Sequence, residues 1–401
     1  MSGRGVGLTT RGLAFLCVGL AVAVGGVAVG HRDVVWAGAF LVAVPLLGLA
    51  LVSLGRRVRP SVRTLSPVEL PAGEVLTGRL RVRPTPWGAT TTLTEALPWG
   101  MSPTFRLVQR PGPAPLVLAY SARPTRRGVF VVGPAVWRFE DPFGFAQAQH
   151  LEPDTAEVVV TPTVHALNAA GPGMGTLQSG EADRHHSSKA GPDDMLVREY
   201  RPGDDLRRIH WGSTARTGEV MVRREERAAE PNALIVVDNR SSAHAGTDDL
   251  STLEWGVSLV ASLAVTFIHD GYSIAVADNT GALLVPSGPG PQRVRGVLRH
   301  LAELRTVPLT SLASAAKASE TDRVGSILIA VTGRLRPEDA RYLATAGRGR
   351  STRWAFVQEV TGDASTDARQ ILVADGWRVT PVPPGTTVSQ AWAEHRLGAL
   401  R

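Results

Sequence analysis

Two apolar runs set back to back constrain this chain more than any other feature. Residues 12–30 read GLAFLCVGLAVAVGGVAVG without a charge, and after His31-Arg32-Asp33 a second run extends from Val34 to Leu54, interrupted only by Pro45. Each run approaches the ~20 residues that a helix needs to cross ~30 Å of hydrocarbon. A cleaved signal peptide accounts poorly for the first run, because another run of spanning length follows at once. Two buried core helices account poorly for the pair, because charge-free runs this long are rare in soluble domains. The expectation is a transmembrane helical hairpin within residues 1–58, with helices at 12–30 and 34–54. Arg4 and Arg11 precede it, Arg56, Arg57, Arg59 and Arg63 follow it, and the turn holds Arg32 beside Asp33. Excess Lys and Arg mark cytoplasmic flanks. Both ends are therefore expected inside the cell membrane, with the rest of the chain on its cytoplasmic side.

The remainder is globular in composition. Apolar residues make up 43% and charged residues 20% of the 401 residues, enough for a buried core and too much for a disordered chain. The formal charge of +7 rests almost wholly on arginine, since Lys189 and Lys317 are the only lysines. These arginines are interleaved with acids along most of the chain. A nucleic-acid surface concentrates its cations on one element, so no nucleic-acid partner is expected. Cys17, inside the first apolar run, is the single cysteine. That leaves no disulfide framework and no thiolate zinc site.

Residues 59–165 carry strand signals and no helical period. Segments 75–83 (VLTGRLRVR) and 128–133 (GVFVVG) are short, partly alternating and bounded by Pro and Gly. They predict a small all-β, sandwich-like domain. Asp141-Pro142-Phe143-Gly144 predicts a turn, with Asp to cap it and Pro to fix φ. Residues 166–195 are rich in Gly, Ser and small polar side chains and read as a linker or long loop; the adjacent His185 and His186 within it read as an exposed pair. From Asn232 the pattern alternates. The apolar run 233–237 ends on Asp238, as a fully buried parallel strand would. A helix follows with Leu253, Val257, Val260, Ala264 and Phe267 on one face, begun by Ser251 and Glu254 at capping-box spacing and stopped by Gly271. Strands at 272–277, 326–331, 353–357 and 377–382 alternate with further helices, one carrying Val294, Val297, Leu298 and Leu301. This predicts an α/β doubly wound domain over residues 196–401, and with the hairpin and the β-rich domain, a multi-domain chain.

The densest segment opens that region: Val197-Arg198-Glu199-Tyr200-Arg201-Pro202-Gly203-Asp204-Asp205-Leu206-Arg207-Arg208-Ile209-His210-Trp211, continuing through Thr214, Ala215 and Arg216. Pro202-Gly203 suits the centre of a type II turn. Asp204 can cap a short helix and lies three and four residues before Arg207 and Arg208, where ion pairing is expected. Residues 220–222 read as an edge strand laid before the buried one.

In these residues the sequence resembles the domain of unknown function 58 family. Its pattern is met by Arg198, Tyr200, Gly203, Asp204, Arg207, Ile209, Trp211, Thr214, Ala215 and Arg216. The resemblance extends over most of the chain, through the two N-terminal membrane helices, the Gly-Val-Phe strand and the Asp-Pro-Phe-Gly turn. It implies that the C-terminal domain is similar to von Willebrand factor A-type domains. Domains of that type often bind Mg²⁺ through Asp-x-Ser-x-Ser after the first strand, with a later threonine and aspartate. Hard cations need several oxygen ligands, which explains those residue types. Here Asp238 and Ser242 match the first and last positions and Thr310 is a loose match for the threonine. Arg240 replaces the middle serine, supplies no oxygen and repels a cation. Thr332-Gly333 lacks the acid expected of a later loop. A metal site is therefore disfavoured and no cofactor is expected.

No phosphate-binding Gly-x-x-x-x-Gly-Lys loop, His-Glu-x-x-His or Gly-x-Ser-x-Gly occurs. The resemblance implies a working partnership with MoxR-type AAA+ ATPases in an envelope-related or assembly process. The leading expectation is a membrane-anchored interaction or scaffold protein that is not an enzyme. Its 198–216 segment is expected either as a docking surface or as an internal structural clasp. The alternative is an enzyme using Asp204, His210 or Asp238 at the carboxyl edge of the sheet, where ligands of open α/β sheets bind.

Overall fold

The computed structural model describes residues 5–55, 62–82, 90–100, 102–107, 116–167, 197–200, 209, 211–223, 232–247, 251–309, 311–321, 327–360 and 365–398. The chain divides into two compact units, Met1–Thr161 and Pro162–Arg401.

In the first unit a short strand β1 (Val6–Leu8) leads into helices α1 (Thr10–Val29) and α2 (Arg32–Gly55). Both helices are long and apolar enough to cross a membrane. Thr9 caps α1 by accepting from the Gly12 N–H, and Gly30, at φ +76°, lets the chain turn back. The helices meet through small residues. Gly19 and Gly26 of α1 and Gly38 of α2 each leave no room for a Cβ against the opposite helix, which is how helices pack closely without a hydrophobic driving force.

The strands that follow are β2 (Val62–Ser66), β3 (Glu69–Pro71), β4 (Leu76–Val82), β5 (Thr90–Glu95), β6 (Thr104–Leu107), β7 (Leu116–Ala122), β8 (Gly128–Val132), β9 (Ala135–Glu140), β10 (Ala146–Glu152) and β11 (Ala156–Thr161). They form sheets in the orders β1-β10-β9-β5-β6, β2-β4-β7 and β3-β11-β8. The sheets share one core in which Leu76, Leu80, Leu93, Trp137, Phe139, Val158 and Val160 are buried. Alternation does this. In β4, Leu76, Gly78, Leu80 and Val82 turn inward while Arg79 and Arg81 face out. Arg63, counted from sequence among the arginines after the hairpin, is drawn into the β-rich domain. Its guanidinium is buried 2.7 Å from the equally buried Glu95, and it also meets Asp154.

The second unit contains a small ribbon and a large sheet. The ribbon pairs β12 (Val197–Glu199) antiparallel with β13 (Met221–Arg223), with helix α3 (Trp211–Thr217) between them in sequence. The 220–222 segment is thus no edge strand of the large sheet; its partner is the other end of its own motif. The large sheet uses β14 (Asn232–Val237), β15 (Ser273–Ala277), β16 (Leu283–Leu284), β17 (Ile327–Thr332), β18 (Thr352–Gln358) and β19 (Arg378–Val382). Its order is β16-β15-β14-β17-β18-β19, parallel except for the short edge strand β16. The helices are α4 (Thr252–His269), α5 (Gly290–Glu303), α6 (Ala313–Thr321), α7 (Pro337–Ala346), α8 (Ser365–Ala374) and α9 (Val388–Leu397). Odd and even residues of β14 feed opposite layers. Ala233, Ile235 and Val237 pack with α4, α5 and α9, while Leu234 and Val236 pack with α6, α7 and α8. Helix α4 also has spanning length, but its apolar positions are buried in this core. Ser251 caps it by accepting from the Leu253 N–H, and Gly271, at φ +85°, ends it. The linker at 166–195, with His185 and His186, falls outside the described residues from position 168 onward.

Candidate functional site

The strand order reverses between β14 and β17, so the loops leaving their carboxyl ends diverge around one crevice, the usual place for a ligand in an open α/β sheet. Asp238 stands at the end of β14, and Asp339 lies in the first turn of α7, just after β17. Between them lies Arg240, 1% exposed. Its Nε and Nη2 donate to the two oxygens of Asp238 at 2.8 and 2.7 Å, a bidentate fork, and its Nη1 donates to Asp339 Oδ2 at 2.6 Å. Asp339 Oδ1 accepts from the Leu312 N–H at 3.0 Å, and Oδ2 also receives the half-exposed Arg336 at 3.2 Å. Burial alone would lower the pKa of Arg240. The hydrogen bonds and charges of Asp238 and Asp339 outweigh it and hold the pKa above its ordinary value. The result is a buried triad of one cation between two carboxylates, its directions fixed, with Arg336 adding a second cation at Asp339.

Its surroundings are equally closed. Asn239 donates to the Arg305 carbonyl and accepts from the Asn279 N–H, both at 2.9 Å. Asn279 donates to the Ser311 carbonyl at 3.1 Å. Val307 exchanges backbone hydrogen bonds with Asn239 and Ser241, adding a short bridge alongside the loop. His244 Nε2 lies 2.6 Å from the Asp238 carbonyl and its Nδ1 3.0 Å from Thr252 Oγ1. With the carbonyl accepting, Nε2 carries the proton and Nδ1 accepts from Thr252, whose oxygen in turn accepts from the Ala245 N–H. Burial lowers the pKa of His244, so this neutral arrangement is favoured. Among the described residues, the polar side chains at this crevice are therefore largely bonded to one another. Of the residues matched to a cation site, Asp238 has both oxygens on Arg240, Ser242 is exposed in the turn Ser241–Ala243, and Thr310 lies outside the described residues. Among the described residues no cluster of three or more His, Cys, Asp or Glu is placed to hold a metal. The acid in this triad is the one sequence reasoning missed: Asp339 is 99 positions from Arg240, and its only local signal is an acid in the first turn after Pro337.

The motif segment contrasts with this. Tyr200, half-buried, donates its N–H to the Val220 carbonyl at 2.8 Å, and Ile209 bridges to Val222. Thr214 Oγ1 accepts from the Met221 N–H at 3.0 Å, and Gly218, at φ +80°, ends α3 with its N–H on the Thr214 carbonyl. These contacts fold the segment onto itself. Helix α3 has no buried residue. Trp211 at its start is 71% exposed, and Ala215, one turn further on the same face, and Arg216 are exposed as well. Arg198 lies in β12. Gly203, Asp204, Arg207 and His210 fall outside the described residues.

An open sheet with its switch between β14 and β17 and helices on both faces defines the C-terminal unit as a doubly wound α/β domain. Its residues 196–352 match the model of the family described as Protein of unknown function DUF58. "Uncharacterized protein YeaD" of Bacillus subtilis (strain 168) is 29% identical over 182 residues, 44% of this chain and 42% of that protein. "Uncharacterized protein Rv1480" of Mycobacterium tuberculosis (strain ATCC 25618 / H37Rv) is 29% identical over 151 residues, 37% of this chain and 43% of that one. The chain thus spans less than half the length of these curated relatives. Among solved structures, the SpRpn10 VWA domain aligns at 12% identity and a TM-score of 0.31, covering 41% of this chain and 95% of that one. Proximal thread matrix protein 1 from the mussel byssus aligns at 11% and 0.29, covering 42% and 47%.

Proposed function

We propose that this is a membrane-anchored interaction protein whose 198–216 segment is a docking surface. The observation that carries the reading is Trp211: a large aromatic side chain, 71% exposed, on a helix that buries nothing. Trp and Arg dominate binding hot spots because they bring large contact area with directed polar groups. Tyr200, Ile209 and Thr214 serve as the clasp that presents the helix, so the clasp and docking roles fall to different residues of one motif. The partner we propose is a MoxR-type AAA+ ATPase, following the family resemblance, in an envelope-related or assembly process.

Two further parts belong to this reading. The hairpin α1–α2 spans the cell membrane with both ends on the cytoplasmic side, supported by Arg11 and the arginines after α2. On this reading Asp238 serves the fold rather than catalysis or a cation, supported by Arg240 on both of its oxygens.

The test is a crosslinked pull-down of the full-length tagged protein from membranes, compared with Trp211→Ala. Recovery of an AAA+ ATPase by the wild type and its loss in the folded variant is the expected result. Recovery undiminished by Trp211→Ala would remove the motif from docking. Recovery of no ATPase by either would remove the partner.

A further inference from the structure

The Asp141–Phe145 turn is lodged against the hairpin, inside the length of the helices. Gly12 of α1 has no room for a Cβ beside the Phe145 carbonyl, and a Cβ on Gly48 of α2 would come 3.1 Å from the Asp141 carboxyl carbon. Phe15 packs on Phe145 with ring centroids 4.7 Å apart, and Phe145 stacks on Phe143 at 6.0 Å. Thr9 ties the turn down from the other side, its hydroxyl donating to the Gly144 carbonyl at 2.7 Å and its N–H to the Phe145 carbonyl at 2.8 Å. Beyond Gly48, α2 turns one face to protein: Val52 is 0% exposed in the β-rich core and Leu49 packs against it, while Ala50 and Ser53 stay exposed.

Length then sets the depth of the turn. From the start of α2 at Arg32 to Gly48 is sixteen residues, about 24 Å of helix. From Phe15 to the end of α1 at Val29 is fourteen residues, about 21 Å. Hydrocarbon is ~30 Å thick, and any tilt shortens the span further. The helix length left above the turn falls short of the membrane by several ångströms, a gap that the turn is placed to fill. It is chemically fit to do so. Both Asp141 carboxylate oxygens accept from backbone N–H groups, Oδ1 from Phe143 at 2.9 Å and Oδ2 from Ala146, and the Asp141 carbonyl accepts from Gly144 at 3.0 Å. The oxygens of the turn thus keep hydrogen-bond partners of their own, and Asp141 is already withdrawn from water by the protein, 3% exposed. Two apolar side chains of the turn are exposed, Pro142 and Phe143, the latter by 60%.

The geometry points to the Asp141–Phe145 turn as a membrane wedge, with Phe143 inserted at the boundary between headgroups and acyl chains. The occupant of this surface is lipid. The inference rests on the proposal that the hairpin spans the bilayer and adds to it that the β-rich domain is sunk into one leaflet rather than held above it.

The single cysteine makes the test direct. Full-length protein is labelled with an environment-sensitive fluorophore at Cys17, which is exposed on α1, or, in a Cys17→Ser background, at Phe143→Cys or Glu74→Cys. Each is reconstituted into phosphatidylcholine–phosphatidylglycerol vesicles and exposed to iodide or to lipids doxyl-labelled near the headgroup. A group inserted 5–10 Å below the surface is shielded from iodide and reached by shallow doxyl lipid. The expected result is that labels at 17 and 143 resist iodide and are quenched roughly two-fold more by doxyl lipid than the label at 74. Quenching at 17 with a water-exposed label at 143 overturns the wedge and leaves the hairpin standing. Equal lipid quenching at 143 and 74 overturns it too, since the dye itself would be partitioning. A water-exposed label at 17 overturns hairpin and wedge together.

Discussion

The crevice after β14 and the motif around α3 lie in the same unit and meet opposite fates. The crevice is where the fold invites a ligand, and the sequence puts an arginine there that takes up both neighbouring carboxylates. The motif uses only a short helix and a two-stranded ribbon, yet it leaves a tryptophan in solvent. A fold's usual binding place and a chain's own exposed chemistry need not coincide, and the proposed docking role rests on the second.

The contrast can be broken in several places. The largest expected effect is at Arg240. Arg240→Ala leaves Asp238 and Asp339 buried with their main partner gone, and breaking a buried ion pair from one side costs ~3–5 kcal/mol. Denaturant unfolding of the full-length protein in detergent should show a loss of that size. A change below ~1 kcal/mol would mean that water or rearrangement relieves the acids and that the crevice is open after all.

Next is acidification. His395 is buried among Trp354, Phe356 and Trp392, its Nδ1 2.7 Å from Thr380 Oγ1. Burial, with a smaller push from Arg378, lowers its pKa to about 3. Between that value and the ~6.5 of an unfolded histidine, the unfolded chain binds a proton that the folded chain refuses. The contribution is therefore complete above pH 6.5 and is lost as pH falls from 6.5 toward 3, by on the order of a few kcal/mol. His395→Gln should flatten the stability–pH curve over that window relative to wild type. Parallel curves would show that the folded domain accommodates the charge.

At the motif the effects move from stability to binding. Trp211→Ala should weaken partner capture by ~2 kcal/mol or more, as hot-spot truncations do, while shifting unfolding by less than ~0.5 kcal/mol. A large loss of stability would instead make Trp211 part of the clasp. The smallest effect is expected for Thr214→Val, which removes the acceptor for the Met221 N–H; ~1 kcal/mol of local stability should be lost. Faster hydrogen exchange confined to 197–223 would report it, and unchanged protection there would show that the ribbon stands without Thr214.

Elements that carry their own period were legible in the sequence. The apolar run of β14 and the four-and-three spacing of Leu253, Val257, Val260, Ala264 and Phe267 announced a buried strand and the helix beside it. The misfit of Arg240 in a cation loop was legible too, but its second partner was not. Nothing in a linear pattern joins residue 240 to residue 339; the parallel crossover does. The same limit explains the ribbon. Residues 220–222 look like a strand, but a strand's pattern does not name its neighbour. The apolar runs gave the hairpin's length, while the faces through which it meets Asp141 and Phe145 depend on glycines that look alike in sequence. Strand β1 is three residues long, too short for any period to show.

That short strand sets an order of events during synthesis. Val6 pairs with Ala148, so 142 residues must be made after Val6 before its partner exists. At 5–20 residues per second the wait is roughly 7–28 s. In that interval α1 and α2 are already complete, and β1 remains beside them with its ladder groups unclaimed. The last strands of the first unit therefore close a seam opened by the first one, and a nascent chain halted before residue 146 would carry a finished hairpin beside an unsealed sheet.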